Sequence, residues 1–244
     1  MMIQSYFQEV FRQLELTLKQ ELPNMDRTAE IMADVIEKDG LIHVFGSGHC
    51  QMFAMEMFYR SGGLVPVNPL LLPHLSITPV AKLSTVFERM EGFSKTYLEL
   101  ENVSAKDAMI IVSVSGRNGS VVDMALAAKE IGMTLIALTD TDFDSHTSSR
   151  HSSGKFLKDV ADIVIDLKVD YGDACMSLDG INEKFSATST VLGMTILQAI
   201  TARTVELLSQ RGLKPPIWTS SNKPEGDQQN ADYFKKFKNR ISSL

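Results

Sequence analysis

The chain has 244 residues, 44% hydrophobic and 22% charged, enough for one compact domain with a large core or one domain with attached helical arms, and nothing in that composition signals disorder. With 30 acidic against 24 basic residues the formal net charge is -6, which argues against a nucleic-acid partner. Cys50 and Cys175 stand far apart without a CxxC, the N-terminus lacks the unbroken apolar core of a signal peptide, and no later stretch reads as a bilayer span, so a cytoplasmic chain with no membrane partner is expected.

From Ile3 to about Lys38 apolar residues recur at helical spacing (Ile3, Phe7, Val10, Phe11, Leu14, Leu18), and Pro23 with Asn24 predicts a break into two helices. Residues 1–38 thus read as a helical arm. At Gly40 the pattern changes to short continuous apolar runs, suited to strands covered on both faces: Leu41 to Phe45, Leu64 to Val67, Ala108 to Val114, Thr134 to Leu138 and Ile163 to Leu167. Helix-length segments separate the last four. That alternation predicts an α/β fold, a three-layer αβα sandwich around a five-stranded parallel sheet, over residues 39–213. A long helix from about Ser186 to Arg211 closes it. Residues 214–244, with Pro215, Pro216, Pro224 and the polar run GDQQN, read as an irregular extension.

Ligands in such sheets collect at the carboxyl ends of the strands. Three loops expected there are small, polar and glycine- or serine-rich: GSGHC (Gly46–Cys50), SVSGRNGS (Ser113–Ser120) and TDTDFDSHTSSRHSSGK, which contains His151. In the second, Ser113 and Ser115 lie two apart at a strand end, Gly116 and Gly119 permit a tight turn, and Ser120 reads as the cap of an amphipathic helix that Gly132 ends. Free backbone N–H groups at that helix start, with neighbouring hydroxyls, suit a phosphate dianion. A dinucleotide site is disfavoured, because the third glycine of GxGxxG falls at Gln51 and no acidic residue ends VPVNP. SSGK likewise lacks the first glycine and the final Ser or Thr of a nucleoside-triphosphate loop.

SVSGRNGSVVDMALAAKEIGMTLIALTD resembles the SxSG-containing loop, helix and strand of sugar isomerase (SIS) domains, a flavodoxin-like fold that binds phosphosugars. FGSGHCQMFAMEM resembles the first strand and loop of the same domain, especially in phosphoheptose isomerases, and the likeness runs from about Leu41 to Arg211. SRHSSGK and PPIWTSSN point to a group of bacterial sugar isomerase domain-containing proteins.

The resemblance implies a phosphorylated sugar as ligand, no cofactor, and a homodimer or homotetramer with its site at a subunit interface. It puts Ser113, Ser115 and Ser120 around the phosphate, Asn118 near the family's usual threonine or serine, and Ser47 and Gly48 in the first loop. It also puts Glu183, in NEKFSATST, at the start of the long helix, followed by Thr188 and Ser189. Arg117 and Asn118 depart from the short polar pair of phosphoheptose isomerases, consistent with an additional phosphate contact or a different ligand. The His and Glu that hold a metal in some of those isomerases are here Met52 and Glu56, so no metal is expected.

Interconverting an aldose and a ketose phosphate through an enediol needs a base and an acid, which carboxylates and histidines supply. Glu183 is the first candidate base, with His151 or His49 assisting ring opening. Glu88 and Glu91 form a helical pair in FERMEGF, a region resembling the catalytic-glutamate region of N-acetylmuramic acid 6-phosphate etherases, which makes Glu91 a fourth candidate. A lyase or etherase acting on an amino-sugar phosphate and a non-catalytic phosphosugar sensor stand as alternatives.

Overall fold

Continuous apolar runs that can be covered on both faces form the strands of the protein, which a computed structural model describes over residues 1–244. The chain runs α1 (Met2–Glu37), β1 (Ile42–Gly46), α2 (Gln51–Met57), β2 (Val67–Leu70), α3 (Ala81–Phe87), α4 (Phe93–Leu100), β3 (Ala108–Val112), α5 (Gly119–Ile131), β4 (Thr134–Thr139) and β5 (Ile163–Asp166). It continues through a short hairpin, β6 (Ala174–Met176) and β7 (Phe185–Ala187), to α6 (Ser189–Gln210) and α7 (Gly226–Phe237). Five strands make one sheet in the order β2-β1-β3-β4-β5, all pairs parallel. This is the α/β three-layer architecture expected from the alternating pattern.

Alternation along each strand divides the core. Ile42, Val44, Ala108, Ile110, Val112, Ile136 and Leu138 face one side and pack against Ala29 and Met32 of α1, Phe53 of α2 and Ile196, Leu197 and Ile200 of α6. Phe45, Met109, Ile111, Leu135 and Ala137 face the other, against Leu98 of α4 and Val121, Met124, Ala125 and Ala128 of α5.

Four expectations are corrected. The helix break at Pro23 does not occur: α1 is a single helix of 36 residues with Pro23 inside it. A proline in a helix interior costs about 3 kcal/mol, but Val10, Thr17, Met25, Ala29 and Met32 continue one buried face through it, and that packing outweighs the lost hydrogen bond. The second strand lies at Val67–Leu70 rather than Leu64–Val67. It is an edge strand, where Pro69 forfeits no required donor, while Leu64 bridges Ile217 and the Val65 amide donates to the Pro216 carbonyl.

The tail is not irregular. After Trp218 it forms α7 and packs Phe237 and Ile241 onto Leu41, Val65 and Trp218, sealing the N-terminal edge of the sheet. Finally, α6 is long and apolar enough by length and composition to cross a membrane. It serves here as a core helix, with Leu192, Ile196, Leu197 and Ile200 buried.

Candidate functional site

The order β2-β1-β3 places the connections after β1 and β3 side by side on opposite faces, the switch point where open parallel sheets leave a crevice. Ser47 to Cys50 form one wall of it. Gly48 has a φ of +59°, a left-handed turn open to glycine. Ser47 is buried, and its hydroxyl lies 3.4 Å from Oε2 of Glu88.

Ser113 to Ser120 form the other wall. The Ser113 hydroxyl accepts the Gly116 amide at 3.2 Å, folding the turn back on itself. At Gly116, φ is +58° and an added Cβ would meet Thr139 Oγ1 at 2.8 Å, so only glycine fits. Asn118, not Ser120, occupies the N-cap of α5. Ser120 is the second residue of the helix, and its fully buried hydroxyl has no partner in the chain. The amides of Ser115, Arg117 and Asn118 make no hydrogen bond within the protein. Together these donors form an anion cradle at the start of a 13-residue helix.

The segment after α3 covers part of this cradle. The Ser120 amide donates to the Glu88 carbonyl at 3.0 Å, and Gly119 lies so close beneath the segment that a Cβ there would meet the Met90 carbonyl at 2.8 Å. This approach brings the Glu88 carboxylate between the two walls, where it accepts the Ser47 hydroxyl and lies close to Asn118. Burial pushes its pKa above the ordinary glutamate value, and those contacts, with nearby Arg150 and Arg89, only partly offset the rise. A half-buried carboxylate of this kind holds its proton more readily than an exposed one, which suits a group that passes a proton to and from a ligand.

The SRHSSGK loop is stitched onto the cradle. The Arg150 amide donates to the Arg117 carbonyl at 2.9 Å and the Leu157 amide to the Gly116 carbonyl at 2.7 Å. His151 Nδ1 accepts the Ser153 amide at 3.0 Å, which leaves the ring proton on Nε2, 3.0 Å from Asp123 Oδ1. Glu91 accepts the Ser152 amide at 2.7 Å and its hydroxyl at 2.6 Å, and those two bonds hold its pKa below the usual value. His151 and Glu91 therefore fasten the loop to α5 and to the 88–91 segment.

The remaining candidates lie apart. His49 is exposed at the rim of the first wall. Glu183 does not begin the long helix: it is exposed on the β6–β7 turn. The carboxylate at the N-terminus of α6 is instead Asp173, which accepts the Thr188 and Ser189 amides at 3.1 and 2.8 Å and the Ser189 hydroxyl. Glu56 is held by Arg60 at 2.7 Å and Gln198 at 2.8 Å. Burial raises the Cys50 thiol to about 11, which keeps it protonated and a poor nucleophile.

Crevice, cradle and sheet order define a sugar isomerase domain, and the chain belongs to the SIS domain family, whose sequence pattern matches residues 5–140. Among its relatives it is 38% identical over 243 residues to a UPF0309 protein of Geobacillus thermodenitrificans, covering 100% of this chain and 98% of that one. It is also 38% identical over 247 residues to UPF0309 protein Teth39_1980 of Thermoanaerobacter pseudethanolicus, covering 100% of both. Two solved structures share the fold. A phosphoheptose isomerase from Francisella tularensis superposes with a TM-score of 0.52 at 17% identity, over 84% of this chain and 96% of that one. The c3406 protein of E. coli CFT073 superposes at 0.53 and 14% identity, over 85% and 90%.

Proposed function

We propose that the chain binds a phosphorylated sugar in the crevice between the β1 and β3 loops and interconverts its aldose and ketose forms through an enediol, in the cytoplasm. The observation that carries this reading is the Glu88 carboxylate, set between Ser47 and Asn118 beside the anion cradle and raised in pKa by burial. The phosphate is assigned to the free amides of Ser115, Arg117 and Asn118 and to the buried Ser120 hydroxyl. Anchored there, the sugar carbons reach the neighbouring carboxylate, which takes a proton from one carbon and returns it to the next. Gly48, Gly116 and Ser113 shape the walls; His49, exposed at the rim, is the candidate for assisting ring opening.

Glu183 enters chemistry only from across a subunit interface. Support for a homodimer or homotetramer comes from the exposed Ile3, Phe7, Phe11, Leu18 and Leu22 on α1 and from Leu178 and Ile181 on the hairpin that carries Glu183. Sedimentation of the purified chain measures the assembly, and a monomer at assay concentration removes Glu183 from the site.

Assaying Glu88→Gln against a panel of sugar phosphates tests the main reading. Turnover is lost while binding persists; full activity in that variant sinks it. A second reading, elimination from an amino-sugar phosphate, is favoured by the position of Glu88 in the stretch that resembles the etherases. Product mass separates the two, since isomerisation leaves it unchanged.

A further inference from the structure

The cradle is surrounded by more positive charge than one phosphate requires. The chain has nine arginines among an acidic surface of net charge -6. Six of them, Arg12, Arg27, Arg60, Arg203, Arg211 and Arg240, form ion pairs with carboxylates. Arg89, Arg117 and Arg150 form none, and these three gather at one place. In a chain with 30 acidic residues, unpaired arginines do not reflect a shortage of carboxylates.

Backbone contacts fix the cluster. The Arg150 amide sits 2.9 Å from the Arg117 carbonyl, and the Arg150 guanidinium donates through Nη1 to Asn118 Oδ1 at 2.9 Å. Arg89 approaches from the opposite rim, its carbonyl 2.9 Å from where a Cβ on Gly119 would stand. Arg117 Nε is buried and donates to nothing in the chain. The Glu88 carboxylate is close enough to act on Arg150 electrostatically but forms no ion pair with it, and accepts the Ser47 hydroxyl instead. Burial, and then the like charges of Arg117 and Arg89, lower the Arg150 pKa. Three crowded guanidiniums raise the energy of the empty site, and each presents a planar fork that matches a carboxylate or a phosphate.

Resting on the phosphosugar reading of this crevice, we infer that the ligand carries a second anionic group, a carboxylate or a second phosphate on the sugar, held by Arg117 and Arg150 with Arg89 closing from the opposite rim. Arg117 and Arg150 set specificity, and the amides and Ser120 supply the common phosphate contact.

Titration calorimetry with inorganic phosphate, fructose 6-phosphate, 6-phosphogluconate and fructose 1,6-bisphosphate tests this. At least one doubly anionic probe binds roughly 10–100-fold more tightly than fructose 6-phosphate, and comparing the two tells carboxylate from second phosphate. Arg117→Gln with Arg150→Gln erases that preference: in the double variant the doubly anionic probes bind no more tightly than fructose 6-phosphate does to the same variant. Arg89→Gln, at an exposed side chain with no bonded partner, keeps the fold intact and lowers the preference in the same direction. Equal affinity for all three sugar phosphates, or a preference that survives these substitutions, overturns the inference and leaves the phosphosugar reading standing. Failure of inorganic phosphate and every sugar phosphate to bind overturns that reading, and the inference with it.

Discussion

At the N-terminal ends of β1 and β3 the Asp107 carboxylate accepts the Leu41 amide at 2.8 Å and the Ser104 amide and hydroxyl at 2.8 and 2.9 Å. His43 Nε2 faces it at 3.5 Å, and Asn68 donates to the other ring nitrogen at 3.1 Å. Glu88 lies at the C-terminal ends of the same two strands with fewer partners. Burial acts on both carboxylates in the same direction, yet the Asp107 pKa falls, because His43, Leu41 and Ser104 outweigh burial, and the Glu88 pKa rises, because Ser47, Asn118 and the arginines do not. One edge bonds the Asp107 carboxylate to three donors and is sealed by α7; the other leaves amides, a hydroxyl and a guanidinium unmatched. Stability is concentrated where polar groups are satisfied, and recognition where they are not.

The largest expected effect breaks the open edge. Glu88→Gln lowers turnover by about 10²–10⁴-fold. The same change sharpens the contrast in stability. A raised carboxylate pKa means that the fold favours the protonated form, so stability declines as pH climbs from the ordinary glutamate value through the raised one. Thermal unfolding therefore finds the Gln variant the more stable at neutral pH, with that advantage vanishing in acid. An unchanged pH profile would remove Glu88 from this role.

Asp107→Ala breaks the sealed edge. It strands the buried Leu41 amide and the half-buried Ser104 donors and costs about 3 kcal/mol, a fall in midpoint of roughly 6–12 °C. The wild-type contribution is present above the ordinary aspartate pKa and is lost as pH falls through the lowered one, the reverse of Glu88. A variant as stable as wild type at neutral pH contradicts this account.

Smaller effects separate geometry from chemistry within the cradle. Gly116→Ala forces a side chain into a left-handed conformation and against Thr139, costing about 1–2 kcal/mol, and it weakens sugar phosphate binding. Ser120→Ala removes a buried hydroxyl that bonds to nothing in the free protein, so the melting temperature holds or rises. Its affinity for phosphate drops about tenfold; equal affinity in calorimetry would place the phosphate elsewhere.

Four of the five sheet strands were legible because each is a largely apolar run bounded by polar loops; β2 was displaced by three residues because Asn68 and Pro69 interrupt its apolar pattern. The glycine and serine loops were legible as well: Gly48 and Gly116 mark turns that sequence alone exposes. Glu88 was not singled out. In FERMEGF it looks like any solvated helix carboxylate, and only the docking of residues 88–91 on α5 brings it to Ser47, 41 positions away. The carboxylate at the start of α6 was sought in the adjacent NEK, whereas Asp173 reaches it from before the hairpin. A signal for α7 was present in Tyr233, Phe234, Phe237 and Ile241, which follow helical spacing behind the polar GDQQN.

The pairing of α1 with α6 has a consequence for biosynthesis. Ala29, Met32 and Ala33 of the first helix are covered by the last long one, and the Thr204 hydroxyl meets the Ala29 carbonyl across 175 positions of chain. At typical elongation speeds of 5–20 residues per second, roughly 10–35 s separate the emergence of these two helices from the ribosome. Through that interval the part of the α1 face that α6 covers has no native partner. The nascent chain is consequently open to proteases and holdase chaperones until α6 arrives, and the domain closes late and all at once.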